Sequence, residues 1–300
     1  MKNRIKYFSI LLFVFLLIIE IYFIVKRFVV YNKKPEIINS WQRIPSGLTS
    51  IAVFSNNFYV VNNTRGEIFQ YDKNTGKNLY VFNFMNGVFG VAESSNGKIF
   101  VLHKDNSISI FSNNYKLINR FELDSNNSSF FCIDLDSQDN IYIFDIKSHK
   151  IHKFSSDMKK IYEFSCINNE KICPTCYVSR IVVTPNDEIY YLQNITEHKA
   201  FIKIFDLNGN IKKTFWIRHT SKFSNLENIA ISSDGHLYMN NFHEKQIVVY
   251  DGLGRYKGVF FTDIKKQYLI EYPGSICGDK QGSLFYVATD KIAIFKYIKY

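Results

Sequence analysis

The sequence predicts an all-β fold: a six-bladed β-propeller of four-stranded antiparallel blades, preceded by a single transmembrane helix. Three observations carry this. After residue 35 one motif recurs six times, with its second-strand aromatics (Tyr59, Phe100, Tyr142, Tyr190, Tyr238 and Phe285) spaced 41 to 48 residues apart, the period of a propeller blade. The composition is aromatic (28 Phe, 20 Tyr) with only 14 Gly and 5 Pro, as suits a β-rich chain that turns on Asn. Residues 7–25, YFSILLFVFLLIIEIYFIV, are long and apolar enough to cross a ~30 Å hydrocarbon core as one helix.

The first element is that helix. Only Ser9 and Glu20 interrupt it, and Glu20 lies about 9 Å along the helix from Lys26 and Arg27, within reach of snorkelling. The following residues, KRFVVYNKKPEI, contain no small-residue cleavage site, so residues 1–34 read as an uncleaved signal anchor with basic flanks. Three positive side chains in the six-residue tail favour an inside N-terminus and an extracytoplasmic propeller. This segment also accounts for much of the charge. Lys2, Arg4, Lys6, Lys26, Arg27, Lys33 and Lys34 face Glu20 alone, a net +6 of the chain's +10. The remaining +4 is spread without a basic run, so a nucleic-acid partner is not expected and the membrane is.

The second domain, residues 35–300, is built from the repeats. First strands read SIAVF (50–54), GVAES (90–94), CIDLD (132–136), RIVVT (180–184), NIAIS (228–232) and SICGD (275–279). Third strands end at Tyr71, Phe111, Phe154, Phe205, Tyr250 and Phe295, and fourth strands carry Phe82, Phe121, Phe164, Phe215 and Phe260. A blade that is apolar on both sides buries them only by stacking on neighbours, so the ring must close. The sixth copy stops after its third strand, and EIINSWQRI (36–44) has the alternation of a fourth. Pairing of 36–44 with the last blade is the expected closure.

Copies such as NIAISSDGHLYMNNFHEKQIVVYDGLGRYKGVF and the segment from RIVVTPNDEIYYLQN to FIKIFDLNGNIKKTF resemble the NHL repeat. The resemblance covers residues 36–300 and implies a six-bladed propeller with a central channel. The Asp that follows the second strand in that family survives here as Asp145, and the first, second and sixth copies depart from the pattern.

Inner strands begin, and second strands end, on the face that carries the blade-to-blade connections. Two rings of residues therefore converge there: Ser50, Gly90, Cys132, Arg180, Asn228 and Ser275 at strand starts, and Asn62, His103, Asp145, Gln193, Asn241 and Ala288 at second-strand ends. One reading is that these residues cap turns and hydrate the channel. The other is a binding entrance formed by Arg180, His103, Asp145, Asn228, Asn241 and Cys132, with Arg180 as a guanidinium fork for carboxylate or phosphate.

Cys166, Cys173 and Cys176 lie in the connection that enters the strand beginning with Arg180. They read as a disulfide fastening a long loop, as redox thiols, or as a zinc site completed by a His or Asp from elsewhere; no cofactor is required. Cys277, within an inner strand, reads as core. Some NHL-like propellers are metal-dependent lyases with several histidines at inner positions, and here only His103 occupies one; no G-x-S-x-G, H-E-x-x-H or P-loop occurs. The resulting expectation is a membrane-anchored binding module that engages a protein, peptide or surface polymer through its loop-rich face. A channel-centred lyase or hydrolase is the alternative.

Overall fold

The computed structural model describes residues 15, 17–19, 37–42, 50–54, 56–63, 65–123, 128–167, 180–196, 199–218, 226–232, 235–241, 246–261, 273–278, 283–288 and 291–296, with backbone alone in 37–42, 196, 218, 226–227, 246, 260–261, 273–274, 283–288 and 291–296. The expected membrane span lies outside them except for Phe15, Leu17, Ile18 and Ile19, which are helical. Among the described residues no helix is long and apolar enough to cross a membrane.

The chain forms a β-propeller of four-stranded antiparallel blades. Five blades are each built from strands consecutive in sequence. The first holds β2 (Ser50–Val53), β3 (Asn57–Asn62), β4 (Glu67–Asp72) and β5 (Asn78–Asn83). The second holds β6 (Val88–Glu93), β7 (Ile99–His103), β8 (Ser107–Phe111) and β9 (Leu117–Glu122). In the third are β10 (Phe130–Leu135), β11 (Ile141–Asp145), β12 (Lys150–Phe154) and β13 (Lys160–Ser165). The fourth comprises β14 (Arg180–Val183), β15 (Ile189–Thr196), β16 (Lys199–Phe205) and β17 (Ile211–Arg218), and the fifth β18 (Leu226–Ile231), β19 (Leu237–Asn241), β20 (Gln246–Tyr250) and β21 (Tyr256–Phe261).

A further sheet joins the two ends of the chain. β22 (Pro273–Gly278), β23 (Ser283–Ala288) and β24 (Lys291–Lys296) pair in order, and β1 (Ile37–Gln42) lies against β24. Ile37 faces Phe295 and Gln42 faces Lys291 in the β1–β24 register. The inner strands neighbour one another in the order β2, β6, β10, β14, β18, β22 and back to β2.

Stacking explains the sequence pattern. β7, β11 and β19 are buried at every position, although strands that face water on one side would alternate. Alternate residues instead serve alternate neighbours. On β7, Ile99 and Val101 join the cluster of Tyr59 and Ile68, while Phe100 and Leu102 join that of Ile141 and Ile143. On β11, Tyr142 and Phe144 turn the other way, to Ile181 and Tyr191. Each buried aromatic contributes about 1.5–3 kcal/mol. The outer strands reverse the pattern, and β9 is almost wholly exposed.

Two repeated devices lock neighbours together. In the turn before the outer strand of the second to fifth blades a residue with positive φ faces the outer-strand Phe of the preceding blade. Tyr115 (φ 63) stacks on Tyr80 at 4.1 Å and meets Phe82 edge-on, and Met158 (φ 66) shares a cluster with Phe121. Gly209 and Gly254 leave no room for a Cβ, which would come within 2.5 Å of Phe164 and Phe215 respectively. On the face opposite the blade connections, aspartates clasp the turn of the previous blade. Asp139 accepts from Ser95 N (2.7 Å) and Ser95 Oγ (2.6 Å), and Asp187 accepts from Ser137 N (3.0 Å) and Ser137 Oγ (2.7 Å). Both aspartates have positive φ, a conformation Asp tolerates better than most residues.

A candidate ligand site at the start of the inner strands

Arg180 begins β14, the inner strand of the fourth blade. Its Nη1 donates to Asn228 Oδ1, the third residue of β18, and its Nη2 donates to Ser50 Oγ (2.8 Å) at the start of β2. The contact with Ser50 reaches an inner strand separated from β14 by two others on either side of the ring, so the guanidinium crosses the axis. Three strand-start residues that sequence spacing placed in one ring are thus in direct contact.

Exposure separates Arg180 from the others. Ser50, Gly90, Cys132, Asn228 and Ser275 are buried, whereas Arg180 is partly exposed. Both its protein partners are neutral oxygens, and it forms no ion pair with any described residue. A guanidinium carries five N–H donors, and two are used.

Asp134 lies two residues beyond Cys132 on β10 and supplies an opposing charge within the field of Arg180. Its carboxylate accepts from Leu135 N (2.9 Å) and, across the blade boundary, from Val183 N (2.8 Å) on β14. Burial pushes its pKa up to about 6, against the downward pull of those two N–H groups and of Arg180. Arg180 therefore acts on Asp134 through space rather than by contact. Sequence reasoning passed over Asp134; the signal was a carboxylate in the otherwise apolar run CIDL.

Ser275 begins the corresponding part of β22, which lies between β18 and β2 in the ring. It is 0% exposed, and its Oγ has no hydrogen-bond partner among the described residues. An unsatisfied buried hydroxyl costs about 1–3 kcal/mol.

The remaining predicted residues are placed differently. Cys132 points into the core with Tyr142, Phe144, Cys166 and Ile181, and burial pushes its thiol up to about 11, partly offset by Ile181 N–H and by Arg180. Asp145 accepts from Ser129 N (2.8 Å), Lys147 N (3.0 Å) and Ser148 Oγ (2.6 Å), which organise the connection into β10 and the hairpin after β11. Burial raises its pKa, but these donors outweigh burial and hold it below the usual carboxylate range.

His103 is 1% exposed, with Nε2 2.8 Å from Ser109 Oγ and its ring edge-on to Phe84. Burial, and secondarily the charge of Arg120, lower its pKa. Asn241 is fully buried at the end of β19. Asn62 caps its hairpin by accepting from Arg65 N (3.1 Å), and Gln193 is engaged by Tyr191 OH (2.6 Å). The second ring is thus largely committed to turns and packing.

Among the described residues Cys132, Cys166 and Cys277 are free thiols. Cys166 is buried, its N–H donates to His149 O, and burial holds its pKa well above the thiol norm. Cys173 and Cys176 lie outside the described residues. Among the described residues no group of three His, Cys, Asp or Glu is placed to hold a metal ion.

No family model matches the sequence, and no curated protein matches it. Solved structures do. A catalytically inactive variant of virginiamycin B lyase from Staphylococcus aureus, in complex with quinupristin, has a TM-score of 0.62 at 16% identity, covering 88% of this chain and 83% of that one. A streptogramin B lyase has a TM-score of 0.60 at 13% identity, covering 86% and 97%. The β-propeller domain of Cps50 (Swd1) from Myceliophteria thermophila has a TM-score of 0.61 at 10% identity, covering 88% and 100%. At these identities the likeness is one of fold, and the fold shared by all three is the β-propeller.

Proposed function

We propose that this chain is a membrane-anchored, NHL-like six-bladed propeller that works as a binding module. Residues 7–25 hold it to the bilayer with the propeller on the extracytoplasmic side, and a protein, peptide or surface polymer is engaged on the face where the inner strands begin. The observation that carries the reading is Arg180: a partly exposed guanidinium crossing the axis, held among the described residues by two neutral oxygens, in a ring whose other described members are buried. Propellers offer such a face as a rigid platform because their sheet edges are protected.

In one neighbouring lyase a histidine-to-alanine change leaves the enzyme catalytically inactive, so the alternative reading for this chain is catalysis by a histidine at an inner position. His103 is the only histidine at such a position, and its burial, its bond to Ser109 and its contact with Phe84 suit packing rather than proton transfer. The binding reading is therefore preferred.

Site-specific photo-crosslinking in membranes tests it. Met85 is fully exposed in the connection between β5 and β6, on the proposed binding face; Asn113 is exposed in a turn on the opposite face. A photoreactive residue at Met85 should capture a discrete partner, and one at Asn113 should not. Capture from Asn113 alone, or from neither position, would refute the assignment of the binding face.

A further inference from the structure

We propose that the group recognised at the axis is a single carboxylate, taken up by Arg180 with the hydroxyl of Ser275 as second donor. This rests on the binding-module reading and specifies its ligand chemistry. Among the described residues only two of the five N–H donors of Arg180 are engaged, and a planar fork of this kind pairs with a carboxylate through two parallel bonds.

Charge limits the ligand to a monoanion. Among the described residues Arg180 is the only cation in either ring apart from the buried His103, whose pKa is lowered; the one anion of the rings, Asp145, is engaged by its own turn donors, and Asp134 adds a partial opposing charge. A phosphate dianion would leave about one charge uncompensated beside that carboxyl. Exposure agrees: the other five strand-start residues are buried, so among them Arg180 is the one group open to a ligand.

Ser275 supplies the complementary observation. β22 sits between the strands that carry Asn228 and Ser50, the two residues that position the guanidinium. By ring order Ser275 therefore lies between Asn228 and Ser50, and a bound carboxylate oxygen that reaches it would satisfy a hydroxyl unpartnered among the described residues.

The test is thermal unfolding of the full chain in detergent at constant ionic strength, with N-acetylglycine, glucuronate, acetamide or inorganic phosphate added. N-acetylglycine stands for a peptide C-terminus and glucuronate for an acidic sugar. At least one of these two carboxylates should raise Tm in a saturable manner, and the stronger of them identifies the source. Acetamide should have no effect, and phosphate should bind at least tenfold more weakly. Arg180→Met should abolish the response.

Should Arg180→Met fail to fold, Ser275→Ala, which removes only the unpartnered hydroxyl, should weaken apparent affinity roughly tenfold while leaving ligand-free Tm unchanged or higher. Equal responses to acetamide and the carboxylates, or an undiminished response in Ser275→Ala, would overturn the proposal. If crosslinking from Met85 persists in such a case, the binding module stands and only the carboxylate assignment falls.

Discussion

Replacing the Asp134 carboxyl with an amide should change the pH dependence of stability in a defined direction. That carboxyl titrates near 3.8 when unfolded and at about 6 in the fold, because burial disfavours its charged form. The difference is worth about 3 kcal/mol between the two protonation states. Since the folded pKa is raised, the stabilising contribution is fully present below about pH 4, declines as pH rises toward 6, and is gone above it. The amide of Asp134→Asn does not titrate and would have no such dependence, while its oxygen could still accept from Val183 N–H. The stability of the parent chain minus that of Asp134→Asn should therefore fall by about 3 kcal/mol between pH 4 and pH 7, then flatten. Denaturant unfolding at half-unit pH steps measures this, and subtraction removes the other titrating groups. Arg180→Met in the parent background should shift the decline to higher pH, because Arg180 lowers the pKa of Asp134. A difference that is flat from pH 4 to 7, or that rises, would refute the burial of the Asp134 carboxyl, and an unshifted decline in Arg180→Met would refute its placement in the field of Arg180.

Other expectations follow from the fold. Deleting residues 37–42 removes five register pairs from β24 and should lower Tm by roughly 10 °C or more, read by circular dichroism; an unchanged Tm would contradict closure through β1. Gly209→Ala places a Cβ 2.5 Å from Phe164 at a positive φ and should cost about 2 kcal/mol or more, whereas the same change at Gly235, with nothing within 4 Å, should cost only about 1 kcal/mol from backbone strain. Asp139→Ala loses both bonds to Ser95 and should cost about 1–2 kcal/mol, with a double-mutant cycle against Ser95→Ala returning most of it as coupling. A reporter fused after Tyr300 should be active outside the cytoplasm; activity confined to the cytoplasm would reverse the proposed topology.

The repeats were legible because stacking imposes them. A second strand buried on both sides must be apolar throughout, and Ile99–Leu102 and Ile141–Phe144 read that way in the bare sequence. Strand starts were legible too, since the chain must enter each blade on one face, and spacing alone brought Ser50, Arg180 and Asn228 together. What spacing could not give was side-chain direction. Cys132 belongs to the same ring by position, yet its thiol turns into the interface with Ile181, and Asp145 spends its oxygens on three local donors. Asp134 was missed for the converse reason. It reads as an interruption of an apolar strand, and only the packed neighbour strand reveals that its carboxyl meets Val183 N–H and the field of Arg180.

The most direct test of the central claim is a crystal structure of the chain with the carboxylate that most raises its Tm. The account predicts a carboxylate at the axis, within hydrogen-bond distance of Arg180 and Ser275. A guanidinium still donating only to Asn228 and Ser50, with the ligand elsewhere or absent, would contradict it.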